Sequence, residues 1–198
     1  MSQENVEVMR GTRIALSPLS ERAIQRRTLD ERLLVRVPAL YRLLAAVLWR
    51  LRRRSRPRRL MVGYSIQRGY AALNRRDYEV VLMRSDPDVE YRPSGSVMPP
   101  DLEAVFYGHD GYRKLWRRWF DAFEDLRWDP EEILDFGDRL LVTASLRGHG
   151  SGSGVAVSEP VFQLFKIQRG VSISQEDFTD RDQALEAAAV NPDVPRQN

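Results

Sequence analysis

The sequence predicts an α+β fold in which helices precede an antiparallel sheet. Apolar residues recur at helical spacing through most of residues 19–83, and again in a long segment near residue 120. After residue 126 the apolar period falls to about two, and short turns separate the strands that this period predicts. A parallel α/β sheet would require strands and helices to alternate, and no such alternation appears, so α+β is favoured over α/β.

The N-terminal part of the chain is predicted to be helical. Helices are expected over residues 19–36, 39–54 and 61–75. Pro38 can begin the second helix, because proline is tolerated in the first turn, and Pro57 is expected to end it.

A loop and one long amphipathic helix join this part to the sheet. Asp77 is expected to cap a short helix, residues 89–92 to form a strand, and residues 93–110 to form a loop. The helix over residues 112–126 carries apolar side chains at i, i+3, i+4 and i+7 spacing. They are Tyr112, Leu115, Trp116, Trp119, Phe120, Phe123 and Leu126.

Four consecutive strands are predicted to complete the fold. Period-two alternation predicts them at residues 127–136, 138–147, 155–168 and 171–178. A last helix is expected to follow, with Asp180 as its N-terminal cap.

Charge is divided unevenly along the 198 residues. Residues 1–61 contain 15 arginines and 5 acidic residues, a net charge of +10, whereas residues 62–198 carry −7. The chain has no cysteine, and its first residues lack the apolar run of a secretory signal, so we expect a cytoplasmic protein. The apolar run at residues 43–49 is far shorter than the roughly 20 residues of a spanning helix.

We therefore expect three regions: a basic helical extension (residues 1–61), a globular domain (62–190) and a disordered tail (191–198). The extension is expected to pack on the domain or on a second subunit. An alternative is contact with an anionic membrane surface through residues 37–59. Nucleic acid is not expected as a partner, because no aromatic residues are interleaved with the arginines and no reading motif is present.

Six segments, in this order, resemble the SnoaL-like branch of the nuclear-transport-factor-2-like superfamily. No single segment is specific to this family, but the six segments in this order are. The resemblance covers residues 62–190 and also the N-terminal motif. Residues 11–61 depart from the common pattern. The segments are MSQENVEVMR, GYAALNRRDYEVVL, DPDVEYRP, YGHDGYRKLWRRWFDAF, GSGVAV and QEDFTDRDQALEAA.

The resemblance implies a cone-shaped, curved antiparallel sheet wrapped on helices, a cystatin-like α+β barrel, here with added N-terminal helices. It also implies an apolar pocket for a small molecule and a homodimer. Enzymes of this fold include ketosteroid isomerases, epoxide hydrolases, polyketide cyclases and dehydratases. For this chain we expect a cofactor-free isomerase, cyclase or dehydratase that acts on a small apolar carbonyl compound. Because other members bind without turnover, the fold alone does not select a function, and a non-catalytic binding or dimerisation module is the alternative.

Asp177 is the best candidate for acid–base chemistry, because several family members carry an acid near the end of the last strand. An apolar pocket would raise its pKa toward neutrality. A structural role as a hydrogen-bonding group at the strand end is the alternative. Alternation places Gln175 on the same face. Register with the family places Ser145 and Arg147 on an inward face, with Arg147 as a partner for Asp177 or for an anionic substrate, or else as a solvated arginine.

The other candidates are aromatic residues and a histidine. Tyr91 and Tyr107 are candidate donors to a developing oxyanion. His109 is a candidate general base, unless it only positions the loop. Two distant histidines predict no metal site. The pocket-lining candidates are Trp116, Trp119, Phe123, Ser145, Gln175 and Tyr107, and for each tryptophan a place in the core is the alternative.

Overall fold

The computed structural model describes residues 11–94 and 104–189. Across these residues seven strands form one curved, unclosed sheet in the order β1-β4-β5-β6-β7-β2-β3. Neighbouring strands are antiparallel except β2 and β7, which are parallel. The strands are β1 (Thr12–Ala15), β2 (Ser85–Arg92), β3 (Phe106–Tyr107), β4 (Arg127–Asp135), β5 (Arg139–His149), β6 (Ala156–Gln168) and β7 (Val171–Phe178).

Seven helices accompany the sheet in the described part of the chain. They are α1 (Glu21–Gln25), α2 (Leu29–Arg36), α3 (Pro38–Trp49), α4 (Arg56–Asn74), α5 (Tyr78–Leu82), α6 (Gly108–Ala122) and α7 (Arg181–Ala189). The α+β prediction is confirmed, and so are the four strands after residue 126. The predicted helix over residues 19–36 is wrong as one element, because extended backbone at Arg26 divides it into α1 and α2.

Pro57 begins a helix instead of ending one. It lies in the first turn of α4, where a missing backbone N–H costs no hydrogen bond. The preceding helix α3 already ends at Trp49, and the chain turns between them. The cap expected at Asp180 is present, since its Oδ1 accepts the backbone N–H of Gln183 at 2.8 Å.

The core lies between one face of the sheet, here called the inner face, and the helices α4 and α6. Strand β5 contributes four apolar residues to this face: Leu140, Val142, Ala144 and Leu146. The stripe of α6 meets them, with Leu115 fully buried. The opposite, outer face is partly covered by α7, whose Ala184 and Ala188 pack on Leu141 and Phe162.

The expectation that Ser145 and Arg147 face inward is wrong. Both belong to the outer face, together with Thr143, and the Arg147 side chain is 57% exposed in an ion pair with Asp129. Alternation lets only one face of β5 point inward. The other set is entirely apolar, so burying it releases more free energy than burying a serine and an arginine.

Residues 11–61, here called the N-terminal segment, are built into the same structure. The segment is not wholly helical, because β1 pairs with β4 at one edge of the sheet. The expected boundary at residues 61/62 falls inside α4, which runs unbroken across it. Residues 1–10 and the predicted tail at 191–198 lie outside the described residues.

Arg58 ties the segment to the sheet. Its guanidinium donates to both carboxylate oxygens of Asp135, at 2.8 and 3.1 Å, and to the carbonyl oxygens of Trp49 and Gly137, at 2.6 and 2.7 Å. Both partners of the ion pair are buried, so one of the basic residues of the N-terminal segment serves packing within the chain. In the described ranges, no helix is long and apolar enough to cross a membrane.

Candidate functional site

A cavity of about 260 Å³ lies between the inner face of the sheet and the helices. Its wall is mostly apolar, with three tryptophans, Trp49, Trp116 and Trp128, among the lining residues. Trp116 is held by ring contacts with Tyr78 and Tyr112, whose centroids lie 5.5 and 4.9 Å away. An engineered apolar cavity of about 150 Å³ already accepts benzene, so this one has room for a small cyclic molecule.

The N-terminal segment forms part of the cavity wall. Helices α2 and α3 supply Asp30, Leu34, Tyr41, Leu44, Ala45, Leu48 and Trp49 to the lining. Helix α3 is seated on the turn between β6 and β7, where a Cβ at Gly170 would lie 2.5 Å from the carbonyl oxygen of Ala45. The segment therefore contributes directly to the space that a ligand would occupy.

A cluster of hydrogen-bonded polar side chains stands at this cavity; we call it the polar cluster. Its centre is Asp177 of β7, which is only 3% exposed. Oδ2 of Asp177 accepts the hydroxyl of Tyr91 at 2.5 Å, and Oδ1 accepts the amide nitrogens of Gln163 and Gln175 at 2.9 and 3.0 Å. The members are Tyr70, Tyr91, Tyr112, Gln163, Gln175 and Asp177.

Two further tyrosines orient the amides. The hydroxyl of Tyr70 donates to Oε1 of Gln163, and that of Tyr112 donates to Oε1 of Gln175 at 3.1 Å. An amide oxygen held by a hydroxyl donor leaves the amide nitrogen for the carboxylate. Each amide nitrogen has two N–H groups and uses one on Asp177, and both glutamines line the cavity.

Burial raises the pKa of Asp177 to about 6, against an ordinary value of 3.8. The hydrogen bonds from Gln175, Tyr91 and Gln163 act in the opposite direction, because they stabilise the charged form. Within the described ranges, Asp177 has no ion pair with a basic residue. Its carboxyl group is therefore able to change protonation state near neutral pH.

The three tyrosines of the polar cluster stay protonated. Burial raises the pKa of Tyr70, Tyr91 and Tyr112 well above 10, and the negative charge of Asp177 raises it further. Each hydroxyl is thus available as a hydrogen-bond donor in the neutral range. Asp177 does not line the cavity itself, whereas Tyr91 does, so Tyr91 stands between the carboxylate and a ligand.

Four of the predicted site residues come together here. Tyr91, Gln175 and Trp116 line the cavity, and Asp177 lies directly behind Tyr91. Strand pairing brings these residues together, because β2 runs parallel to β7 with Tyr91 opposite Gln175.

Five other predicted residues lie outside the cavity lining, which corrects the assignment of four of them to the pocket wall and of Arg147 to the catalytic group. Trp119 and Phe123 stack on each other in the core, with ring centroids 5.9 Å apart. Tyr107 is 66% exposed at the sheet edge. Ser145 and Arg147 lie on the outer face, as described above, because the apolar set of β5 occupies the inner one.

His109 is also absent from the cavity lining. It lies in the first turn of α6, where its Nε2 is 3.4 Å from both Oγ and the carbonyl oxygen of Ser85. Nothing in this geometry connects it with Asp177. Across the described residues, no cluster of three or more histidines and acids offers a metal site.

Four residues of the site were not predicted from the sequence: Tyr70, Tyr112, Gln163 and Trp128. Tyr112 was expected only as a member of an apolar helical stripe, and Tyr70 lies within the helix predicted over residues 61–75. Gln163 carried a usable signal, because it is a polar residue between Val161 and Phe165, two apolar residues that point inward.

Comparison with known families matches residues 66–175 to the SnoaL-like domain. A comparison with curated protein sequences found no match. The fold resembles that of TerC co-crystallised with polyporic acid, at 23% identity over 64% of this chain and 97% of that one, with a TM-score of 0.53.

Two other solved structures show the same likeness. An NTF2-like protein of unknown function from Burkholderia pseudomallei K96243 is 22% identical over 64% of this chain and 96% of that one, with a TM-score of 0.53. IdmH, a putative polyketide cyclase from Streptomyces antibioticus, is 17% identical over 63% of this chain and 95% of its own, with a TM-score of 0.51. At these identities the likeness shows the fold.

Proposed function

This chain belongs to the SnoaL-like domain family, and we propose that its cavity binds a small apolar carbonyl compound and moves a proton on it. Asp177 carries the proton and Tyr91 relays it to the ligand. The reaction class is that of an isomerase or cyclase working by acid–base chemistry, which needs no cofactor. Apolar walls that include Trp116 and Trp128 support an apolar, cyclic ligand.

The observation that carries this proposal is a buried carboxyl group of near-neutral pKa beside a cavity. A general base works best when its pKa lies near the working pH. Asp177 meets this condition through burial. An aspartate with a purely structural role is typically stabilised in its charged form by an ion pair or by backbone N–H donors, and these lower its pKa.

The hydrogen bonds support one balanced proton transfer. The hydroxyl proton of Tyr91 passes to Oδ2 of Asp177 as the tyrosine oxygen accepts a proton from the carbon next to the ligand carbonyl. The electron pair of the broken C–H bond moves into the enolate. The second N–H groups of Gln163 and Gln175 donate to the enolate oxygen, as donors do in an oxyanion hole. Reversal of the transfer at another carbon completes an isomerisation.

Exchange of the α-protons of 2-tetralone in D₂O tests the proposal. This ketone is cyclic and apolar, and proton NMR follows the loss of its α-proton signal. We expect the wild-type protein to accelerate exchange, and both Asp177→Asn and Tyr91→Phe to reduce the acceleration by about 10²-fold or more. Arg147→Gln is the matched control, because it alters a polar residue on the outer face, and should exchange at the wild-type rate.

The results also separate catalysis from binding. Tetralone that binds and shows no exchange above the buffer rate would refute proton transfer and leave a non-catalytic binding module. Reduced exchange in Arg147→Gln, with Asp177→Asn unaffected, would place the chemistry on the other face of the sheet and contradict the proposal.

A second candidate function is contact with an anionic membrane surface through helices α2 and α3. Four of their apolar side chains are more than half exposed: Leu29, Leu33, Leu43 and Val47. Exposed arginines lie on and near the same helices, at positions 36, 42, 50, 52 and 54. Apolar side chains flanked by arginines are typical of helices that lie in an anionic interface.

Co-sedimentation with vesicles tests this contact. We expect binding to phosphatidylserine-containing vesicles, weak binding to pure phosphatidylcholine, and loss of binding in the double variant Leu43→Ser/Val47→Ser. Both positions are exposed, so the variant should fold normally. Equal binding of the variant and the wild type would rule the contact out.

A homodimer remains a prediction. Part of the outer sheet face is covered by α7 in this chain, which leaves less of that face for a partner copy. Native mass spectrometry distinguishes monomer from dimer and also detects a small molecule retained in the cavity.

A further inference from the structure

Arg84 is a cavity-lining cation that the proposed proton transfer does not use. It follows α5 and directly precedes Ser85, the first residue of β2. It lines the same cavity as the polar cluster, and its guanidinium carbon lies 5.8 Å from the ring centroid of Tyr41 in α3. Arg84 is partly buried, and a guanidinium withdrawn from water is costly unless it is paired, so its partner needs to be identified.

The hydrogen bonds of Arg84 are incomplete. One terminal nitrogen, Nη1, donates to the carbonyl oxygen of Val80. The Nε atom is buried and has no acceptor in the described ranges. No carboxylate of a described residue forms an ion pair with Arg84.

The acidic residues of the neighbourhood are already engaged by other donors. Glu31 accepts from Arg75 at 2.9 Å and from the backbone N–H of Thr28 at 2.9 Å. Asp30 accepts from the hydroxyl of Tyr64 at 2.7 Å. These acids act on Arg84 only through longer-range attraction, and burial lowers the pKa of the guanidinium below its ordinary value.

We propose that Arg84 binds a carboxylate of the ligand, so that the molecule held in the cavity is an apolar acid and not a neutral ketone alone. This inference rests on the proposed function, because it assumes that the cavity binds a small molecule. A carboxylate offers the two oxygens that a guanidinium fork recognises, and it gives Arg84 the direct ion-pair partner that no described residue provides.

The two ends of the ligand then have different partners. The acid group faces Arg84, and the reacting carbon faces Tyr91 of the polar cluster. The apolar body lies against Trp116 and the other apolar lining residues. Because Tyr41 stands near the guanidinium, the N-terminal segment helps to enclose the carboxylate end.

A matched pair of probes tests this assignment: 2-naphthoate and its neutral counterpart 2-naphthamide. Binding to the full chain is measured at pH 7.5 by isothermal titration calorimetry. We expect the wild type to bind naphthoate at least about tenfold more tightly than naphthamide, as one charge-assisted contact provides. Arg84→Met should abolish this preference and leave the naphthamide affinity within about twofold.

Two further variants keep the test interpretable. Arg84→Lys retains the positive charge without the two parallel N–H donors of the guanidinium, and should keep part of the preference for naphthoate over naphthamide. Arg59→Met removes an exposed arginine of α4 that does not line the cavity, and should bind both probes as the wild type does. A thermal melt confirms that each variant is folded.

The outcomes separate this inference from the proposed function. Equal affinity of the wild type for both probes, unchanged in Arg84→Met, would overturn the role of Arg84 and leave the ligand-binding cavity intact. Binding of neither probe to the wild type would overturn both. A preference for naphthoate that persists in Arg84→Met would assign the carboxylate to another residue and refute the inference.

Discussion

Replacing Asp177 by asparagine is expected to stabilise the protein at neutral pH while it removes the proposed activity. The two side chains have the same shape. The amide oxygen of asparagine can still accept from Gln163 and Gln175, and its nitrogen can donate to the oxygen of Tyr91. What disappears is the burial of a negative charge.

The magnitude follows from the shift in pKa between the unfolded and folded states. The pKa of Asp177 rises from 3.8 to about 6 on folding, and each unit corresponds to about 1.36 kcal/mol. Between these values the folded state binds more protons than the unfolded state, so wild-type stability falls as the pH rises. The full loss, about 3 kcal/mol, is reached above pH 6 and is absent below about pH 4.

Urea denaturation of the wild type and Asp177→Asn at several pH values measures this effect. The difference between the two free energies of unfolding removes the pH-dependent contributions of the groups that titrate in both proteins. The difference should grow in favour of the variant by about 3 kcal/mol between pH 4 and pH 8. A pH-independent difference for Asp177→Asn would refute the reasoning.

Two further predictions concern the packing of the N-terminal segment. Gly170→Ala should lower the free energy of unfolding by about 1–3 kcal/mol more than the control Gly152→Ala. Both glycines have positive φ, but only a Cβ at Gly170 would meet Ala45. Equal losses of stability in thermal melts would contradict a tight contact with α3. Arg58→Met should cost about 3–5 kcal/mol, because it leaves the buried Asp135 without its ion-pair partner; in urea denaturation, a loss below about 1 kcal/mol would show that the pair does not hold the segment.

The fold could be predicted from the sequence wherever one physical signal was strong. The strands after residue 126 alternate in polarity, and turns bound them, so β4 to β7 begin and end close to the expected residues. Helix α6 was expected to begin at Tyr112, yet it begins at Gly108, because the aromatic stripe marks the buried face and not the first turn. The error at Pro57 arose because proline marks the beginning of a helix as readily as the end of one.

The inward face of β5 was a different kind of error. The apolar set of Leu140, Val142, Ala144 and Leu146 favours the observed orientation by alternation alone. The register borrowed from the family pointed to Ser145 and Arg147 instead. Here the pattern in the residues was a better guide than the resemblance.

The polar cluster could be predicted only in part. Asp177 and Tyr91 were candidates by residue type, but the parallel pairing of β2 with β7 that joins them spans more than 80 residues of chain. The position of Gln163 opposite Asp177 depends on a β-bulge, which the sequence pattern did not indicate. Without the register shift between Lys166 and Ile167, Gln163 would lie opposite Glu176 and not Asp177.

The pH profile of α-proton exchange tests the proposed proton transfer most directly. For the wild type with 2-tetralone, the protein-dependent exchange rate should rise with the ionised fraction of Asp177, with a midpoint near pH 6, and level off above it. Asp177→Asn should show no such rise. A wild-type profile without a midpoint between pH 5 and 7, or the same profile in Asp177→Asn, would contradict the assignment of Asp177 as the base.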